Sequence, residues 1–323
     1  DGTSRVDPPQ PPREEQTVSL RTSDAIFEFS TRGGGIKTVD VLGQHAVGTE
    51  EVDVMLNRAA KQVVGSLTKG TDRFLDEYYQ LISSDARSVV FAAEVEAGVL
   101  VRKKWSLLES EEGMAYRVEL ELSVENQSEK SVELADYGLF LGTAAPLYKR
   151  EWENQTGLFY LEGQDFEFEA VTWFKKGWFR EARPLFSREI GSIGYAGVSN
   201  QFFTTIVSPV EAYDGEMWGK VSNLTLPEVA GGGDKKAVRA GISLPKETLG
   251  PNGGQKTVKF EVLMGPKWNK MLRRIGGERG KVMNYGLFSF VSNPLNRALN
   301  YIHRVVFSPV SDKWSWGFSI VLL

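Results

Sequence analysis

Two histidines, His45 and His303, are the only imidazoles in the chain, and cysteine is absent. Acid–base chemistry of the kind a sugar enzyme performs needs a histidine and a carboxylate converging in one cleft. His45 lies between Gly43 and Gly48 in a segment that reads as a loop, while His303 falls in a helical stretch near the carboxyl end. Convergence is therefore not expected, and no catalytic residue is assigned. Without cysteine there is no thiol nucleophile, disulfide framework or thiolate metal site, and no histidine, aspartate and glutamate group has ligand spacing. Neither a metal nor another cofactor is expected.

Aromatic residues supply the remaining candidates for recognition. The run Trp173, Phe174, Lys175, Lys176, Gly177, Trp178, Phe179, Arg180 interleaves rings with cations. It has two readings: a patch for docking a partner or touching a cleft ligand or membrane, since aromatic and arginine side chains anchor interfaces, or a strand pair with its rings in the core and its cations in water. The second is the commoner arrangement and the expected one. Tyr148, Trp152, Phe159 and Tyr160 suit a sugar-stacking cleft but are expected to be core.

The elements that must position these residues are mostly strands. Tyr116, Val118, Leu120, Leu122 and Val124 alternate with Arg117, Glu119, Glu121, Ser123 and Glu125, giving one apolar and one solvated face. Val258 to Met264 repeats the pattern, and Ile26–Ser30, Ile36–Leu42 and Val89–Leu107 are similar runs rich in β-branched and aromatic residues. Glycine-rich turns separate them at Gly33–Gly35, Gly231–Asp234 and Pro251–Gly254. Many antiparallel strands with one wet face predict a large sandwich over residues 17–265. Residues 1–16, with Pro8, Pro9, Pro11 and Pro12, read as a flexible linker. With 38 basic and 42 acidic residues, a net charge of −4, the chain has no global basic field to attract nucleic acid.

After Gly265 the period becomes helical. Pro266 suits a first helical position, and Trp268, Met271, Leu272 and Ile275 follow before Gly276 and Gly277, predicting a packed helix within 266–280. A second stripe, Val291, Leu295, Ala298, Leu299, Ile302, Val305 and Val306, predicts an amphipathic helix within 281–309. From Pro266 to Val306 there are eight lysines and arginines against Glu278 alone. Residues 310–323 end in Trp316, Gly317, Phe318, Ser319, Ile320, Val321, Leu322, Leu323, which reads as the start of a transmembrane helix cut short. A basic amphipathic helix directly before such a start is expected to lie in the headgroup plane.

Tyr285-Gly286, Phe290 to Leu295, Tyr301 to His303 and Trp316 to Ile320 together resemble the segment in which bacterial YidC-type membrane protein insertases pass from their large periplasmic domain into the first conserved membrane helix. Weaker matches are Thr31 to Gly34, Asn200 to Phe203, and Gly265-Pro266. The resemblance implies a β-supersandwich, similar to galactose-mutarotase-like folds, on the periplasmic face of the inner membrane. It implies an insertase and chaperone for nascent membrane proteins, alone or with the Sec translocon and its accessory subunits, in which this domain is non-catalytic. It further implies that Tyr285, Gly286, Pro294, Leu295, Ile302 and His303 shape an interfacial helix, with Trp314 and Trp316 at the headgroup boundary. The alternatives are a carbohydrate- or peptide-binding module and, behind it, a mutarotase-like enzyme.

Overall fold

In the computed structural model, residues 14–45, 53–58, 60–75, 78–108, 115–176, 181–226 and 228–283 are described. The first four strands, β1 (Thr17–Arg21), β2 (Ala25–Ser30), β3 (Gly35–His45) and β4 (Asp53–Leu56), make an antiparallel sheet in sequence order. Then come β5 (Leu67–Lys69), β6 (Gln80–Ser84), β7 (Ser88–Glu96), β8 (Val99–Leu107), β9 (Arg117–Asn126), β10 (Val132–Glu133), β11 (Tyr137–Ala144), β12 (Gly157–Glu162) and β13 (Asp165–Ala170). The last strands are β14 (Phe186–Ser199), β15 (Phe203–Pro209), β16 (Tyr213–Leu226), β17 (Gly233–Ser243), β18 (Thr248–Leu249) and β19 (Gly254–Pro266). A large antiparallel sheet runs β5-β11-β17-β16-β14-β15-β19-β9-β8-β7-β6, with β12 and β13 added beside β14. This is the mainly β architecture that the alternation predicts, and it fits the β-supersandwich that the resemblance implies.

The strands follow their sequences closely where one face is wet. In β9 every second side chain is buried from Val118 to Asn126, because Glu119, Glu121 and Glu125 need water and their neighbours do not. The run Val89–Leu107 is not one strand but the hairpin β7–β8, turned at Gly98, whose φ is +75°.

The small sheet is fastened to the large one through the turn at Gly33–Gly35. Lys103, fully buried in β8, donates from Nζ to the carbonyls of Gly33 and Gly65, both at 2.7 Å, and lies 4.4 Å from the ring centre of Tyr79. Burial pushes its ammonium well below the usual lysine range. Trp105 donates its indole N–H to Gly34 O at 3.1 Å and packs on Phe29, ring centres 5.5 Å apart. Burying such a ring stabilises by about 3 kcal/mol. Gly35 has to be glycine: a Cβ there would stand 2.1 Å from Val64 O, where Ile36 and Val64 exchange backbone hydrogen bonds.

Three local expectations are corrected. His45 is not in a loop but is the last residue of β3. Pro266 closes β19 opposite Phe203 rather than opening a helix; lacking an N–H, it suits a strand end as well as a first helical turn. Helix α1 occupies Asn269–Ile275, buries Met271 and Leu272, and stops at Gly276, φ +79°. Finally, residues 171–174 form a 3-10 turn, not a strand.

Residues up to Gly280 form one compact unit, and the chain from Lys281 separates as a second, of which 281–283 alone are described. The amphipathic helix expected within 281–309, the membrane-helix start at 310–323 and most of the proline-rich linker lie outside the described residues. No described helix is long and apolar enough to cross a membrane.

Candidate functional site

A cleft of about 770 Å³ opens where the small sheet meets the ends of four strands of the large one. β4 and the residues after it supply Val54, Leu56 and Asn57. The end of β11 and the following loop supply Ala144 to Leu147. Val198, Ser199, Phe203, Leu224 and Leu226 complete a mainly apolar lining. Next to the lining residue Val198, Gly197 leaves no room for a side chain, since a Cβ there would stand 2.0 Å from Thr205 O and 2.6 Å from the Phe159 ring. Two polar atoms among the lining residues have no partner, Ser199 Oγ and Asn57 Oδ1. Ser199 is 2% exposed, and an unpaired buried hydroxyl there is a standing penalty that a bound polar group would relieve.

One wall is held by an internal polar hub. Asn200 accepts from the backbone N–H groups of Phe202 and Phe203 at 2.9 and 2.7 Å and donates to Ala145 O at 2.8 Å. This side-chain turn joins β14 to β15. Glu151, buried beneath it, accepts from the N–H groups of Leu147, Tyr148 and Gln201. Burial raises its pKa, and those N–H groups partly oppose the rise. Lys267 donates to Asn200 O at 3.3 Å; burial pushes it down to about 8, against the pull of the Glu151 charge.

The structure separates the residues that the sequence grouped. Phe159 and Tyr160 are fully buried core, whereas Trp152 is 64% exposed and Tyr148 stacks on Phe202. Phe174 is core, and Trp173 packs against Phe174 and Phe186 with the Arg183 guanidinium 4.4 Å over its ring. Lys175 pairs with Glu153 at 2.6 Å. None of the three lines the cleft. Trp178 and Phe179, and likewise Tyr285, Gly286, Pro294, Leu295, Ile302, His303, Trp314 and Trp316, lie outside the described residues.

One histidine does pair with a carboxylate, across β3 and β4, but His45 is not among the residues that line the cleft. Asp53 lines it, and His45 Nδ1 stands 3.6 Å from Asp53 Oδ1. The same oxygen accepts from Gly43 N at 2.9 Å, in the stretch where the β3–β4 register breaks between Val41 and His45. The carboxylate thus holds a bulge. Among the described residues no group of three or more metal-binding side chains gathers.

Sequence reasoning missed Glu151, Lys267 and the residues that line the cleft. Glu151 sits between Arg150 and Trp152, a context that signals a surface; only the run from Asn200 to Phe203 carried a hint.

Comparison with known proteins gives these parts a family. A family model described as the YidC periplasmic domain matches residues 17–298. The membrane protein insertase YidC of Pasteurella multocida is 23% identical over 286 residues, 85% of this chain and 44% of the relative. That of Geobacter sulfurreducens is 25% identical over 309 residues, 91% of this chain and 52% of the relative. The chain thus spans about half the length of the curated relatives it matches. Among solved structures, YidC from Thermotoga maritima is similar with a TM-score of 0.40 and 12% identity, covering 96% of this chain and 66% of that one. A galactose mutarotase related enzyme from Lactobacillus acidophilus is similar with a TM-score of 0.45 and 10% identity, covering 77% of this chain and 97% of that one. On the match across 17–298, the chain belongs to the YidC periplasmic domain family, whose members face the periplasm from the bacterial inner membrane.

Proposed function

We propose that the chain serves a membrane protein insertase as its periplasmic domain, positioning the insertase and contacting its partners without catalysing a reaction itself. The family match over residues 17–298 carries this reading. Nascent membrane proteins are its substrates, and the Sec translocon with its accessory subunits is its partner. The half-packed turn at Trp173–Lys175 is a contact point for such a partner, and Tyr285, Gly286, Pro294, Leu295, Ile302, His303, Trp314 and Trp316 carry the passage to the bilayer. Among the described residues that line the cleft the carboxylate is Asp53, and it is engaged by Gly43 N and His45. In a strain whose insertase lacks residues 20–260, protease protection of an inner-membrane substrate should fall only partly. Complete loss of insertion for every substrate would overturn the reading.

A second reading, a peptide- or carbohydrate-binding module, is favoured by one observation: the apolar cleft with the unpartnered Ser199 hydroxyl. Calorimetric titration of the purified chain with an apolar heptapeptide and with a monosaccharide separates the two ligand classes. Heat from neither removes this reading.

A further inference from the structure

Of the six large apolar side chains that stand exposed among the described residues, three gather at one end of the domain: Trp152, Phe202 and Trp268. Their proximity follows from the backbone. Gln201 Oε1 accepts from Trp152 N at 3.1 Å, and Lys267 N donates to Phe202 O at 2.7 Å, which extends the β15–β19 pairing and sets Trp268 beside the same turn. The rings are held rather than loose. Phe202 stacks on Tyr148 with centres 5.7 Å apart, and Trp268 meets Tyr116 edge-on at 6.0 Å. Beneath them lies the hub of Glu151, Asn200 and Lys267.

The charge around this patch runs against the charge of the chain. Lys149, Arg150, Lys270, Arg273 and Arg274 are all exposed. In the same stretches, 148–153 and 267–274, the carboxylates are Glu151, which is buried, and Glu153, which is paired with Lys175. An otherwise acidic chain, net −4, thus presents rigid aromatics within a cationic rim. Tryptophan favours the headgroup layer, with an apolar body and a polar N–H, and basic residues are drawn to anionic lipid. A docking surface for an acidic protein would share the cations. However, fixed aromatics that project beside lysines and arginines, at the end of the domain where β19 leads into α1, match a lipid surface.

We propose that Trp152, Phe202 and Trp268, with the cations beside them, form the face on which this domain rests against anionic lipid headgroups. The inference depends on the membrane-attached reading above and adds the contact surface to it. Because the chain has no cysteine, a nitrobenzoxadiazole label attached to Phe202→Cys reports this face alone. The same label on Val210→Cys reports the far end of β15, about 26 Å away at strand rise. The full chain is mixed with phosphatidylethanolamine–phosphatidylglycerol vesicles and, separately, with phosphatidylcholine vesicles. With the anionic vesicles, emission at 202 should rise about twofold and shift to the blue, and high salt should reverse it, while emission at 210 stays unchanged. Trp268→Cys, labelled in the same way, should respond like 202. Lys270→Glu with Arg273→Glu and Arg274→Glu should halve the signal at 202.

Chain that fails to sediment with vesicles overturns the attachment reading together with this one. Chain that sediments while the 202 and 268 labels stay silent, or respond equally to both vesicle types, overturns this inference alone. Labels silent on vesicles but shielded in native membranes would assign the patch to a protein partner, and would overturn it as well.

Discussion

Replacing Lys267 by methionine tests the buried hub beside the cleft. The lysine is 7% exposed, its Nζ has one acceptor at 3.3 Å, and burial brings its pKa down from 10.5 to about 8. That fall corresponds to about 3 kcal/mol of stability withheld while the ammonium stays charged. The sign follows from proton counting. Between pH 8 and 10.5 the unfolded chain holds this proton and the folded chain has lost it, so stability rises with pH across that window. Below pH 8 both states are protonated and the full penalty stands. From pH 7 to 9.5 the wild type should regain about 2 kcal/mol from this group. Lys267→Met keeps the aliphatic stem and has no proton to lose, so its stability should lack that rise. The tyrosines raised by burial, Tyr195 among them, are common to both proteins and cancel in the difference. Urea unfolding of the full chain, followed by far-ultraviolet circular dichroism at pH 7, 8.5 and 9.5, reads that difference directly. Parallel stability curves for the two proteins would show that the ammonium is solvated, and the account of the hub would fail.

Gly35→Ala should lower stability by more than about 3 kcal/mol in urea titration, because the new Cβ meets Val64 O at 2.1 Å in the seam between the sheets. Asn126→Ala should cost about 3 kcal/mol by the same measurement: its buried amide donates to the carbonyls of Lys130, Leu249 and Gly250 and accepts from Ser128. Ser199→Ala removes a hydroxyl with no partner and should be neutral or stabilising by up to about 1 kcal/mol; a loss of melting temperature would mean the hydroxyl is bonded. His45→Ala breaks only a half-exposed pair and should change stability by less than about 0.5 kcal/mol in urea titration.

What the sequence made legible was whatever one strand decides alone. β9 was plain because its wet and dry faces alternate within ten residues, and the turns were plain because glycine marks them. The cleft was not, because its walls come from residues 53 to 230, each contributing a few side chains from the end of a strand. No local period records such an assembly. His45 and Asp53 meet through the β3–β4 pairing across a register break, which spacing alone cannot reveal. The aromatic–cation run misled for a related reason: Trp173 and Phe174 do enter packing, but from a 3-10 turn whose geometry alternation does not encode. Glu151 and Lys267 looked like surface charges because their burial is imposed by neighbours far away in the chain.

Those two buried charges explain how one short turn carries two faces. Neither is a bargain for stability, since burial disfavours both ionised forms. Their bonds, however, end on backbone rather than on solvent: Glu151 on the N–H groups of Leu147, Tyr148 and Gln201, and Lys267 on the carbonyl of Asn200. The loop after β11, the β14–β15 turn and the end of β19 are thereby fixed to one another. A purely apolar filling would leave those N–H groups unpaired, because none of them belongs to a strand ladder. With the turn fixed, Ser199 and Phe203 face the cleft while Phe202 faces out. A polar interior at this end of the sandwich is what lets a four-residue turn serve an apolar cleft on one side and an exposed aromatic face on the other.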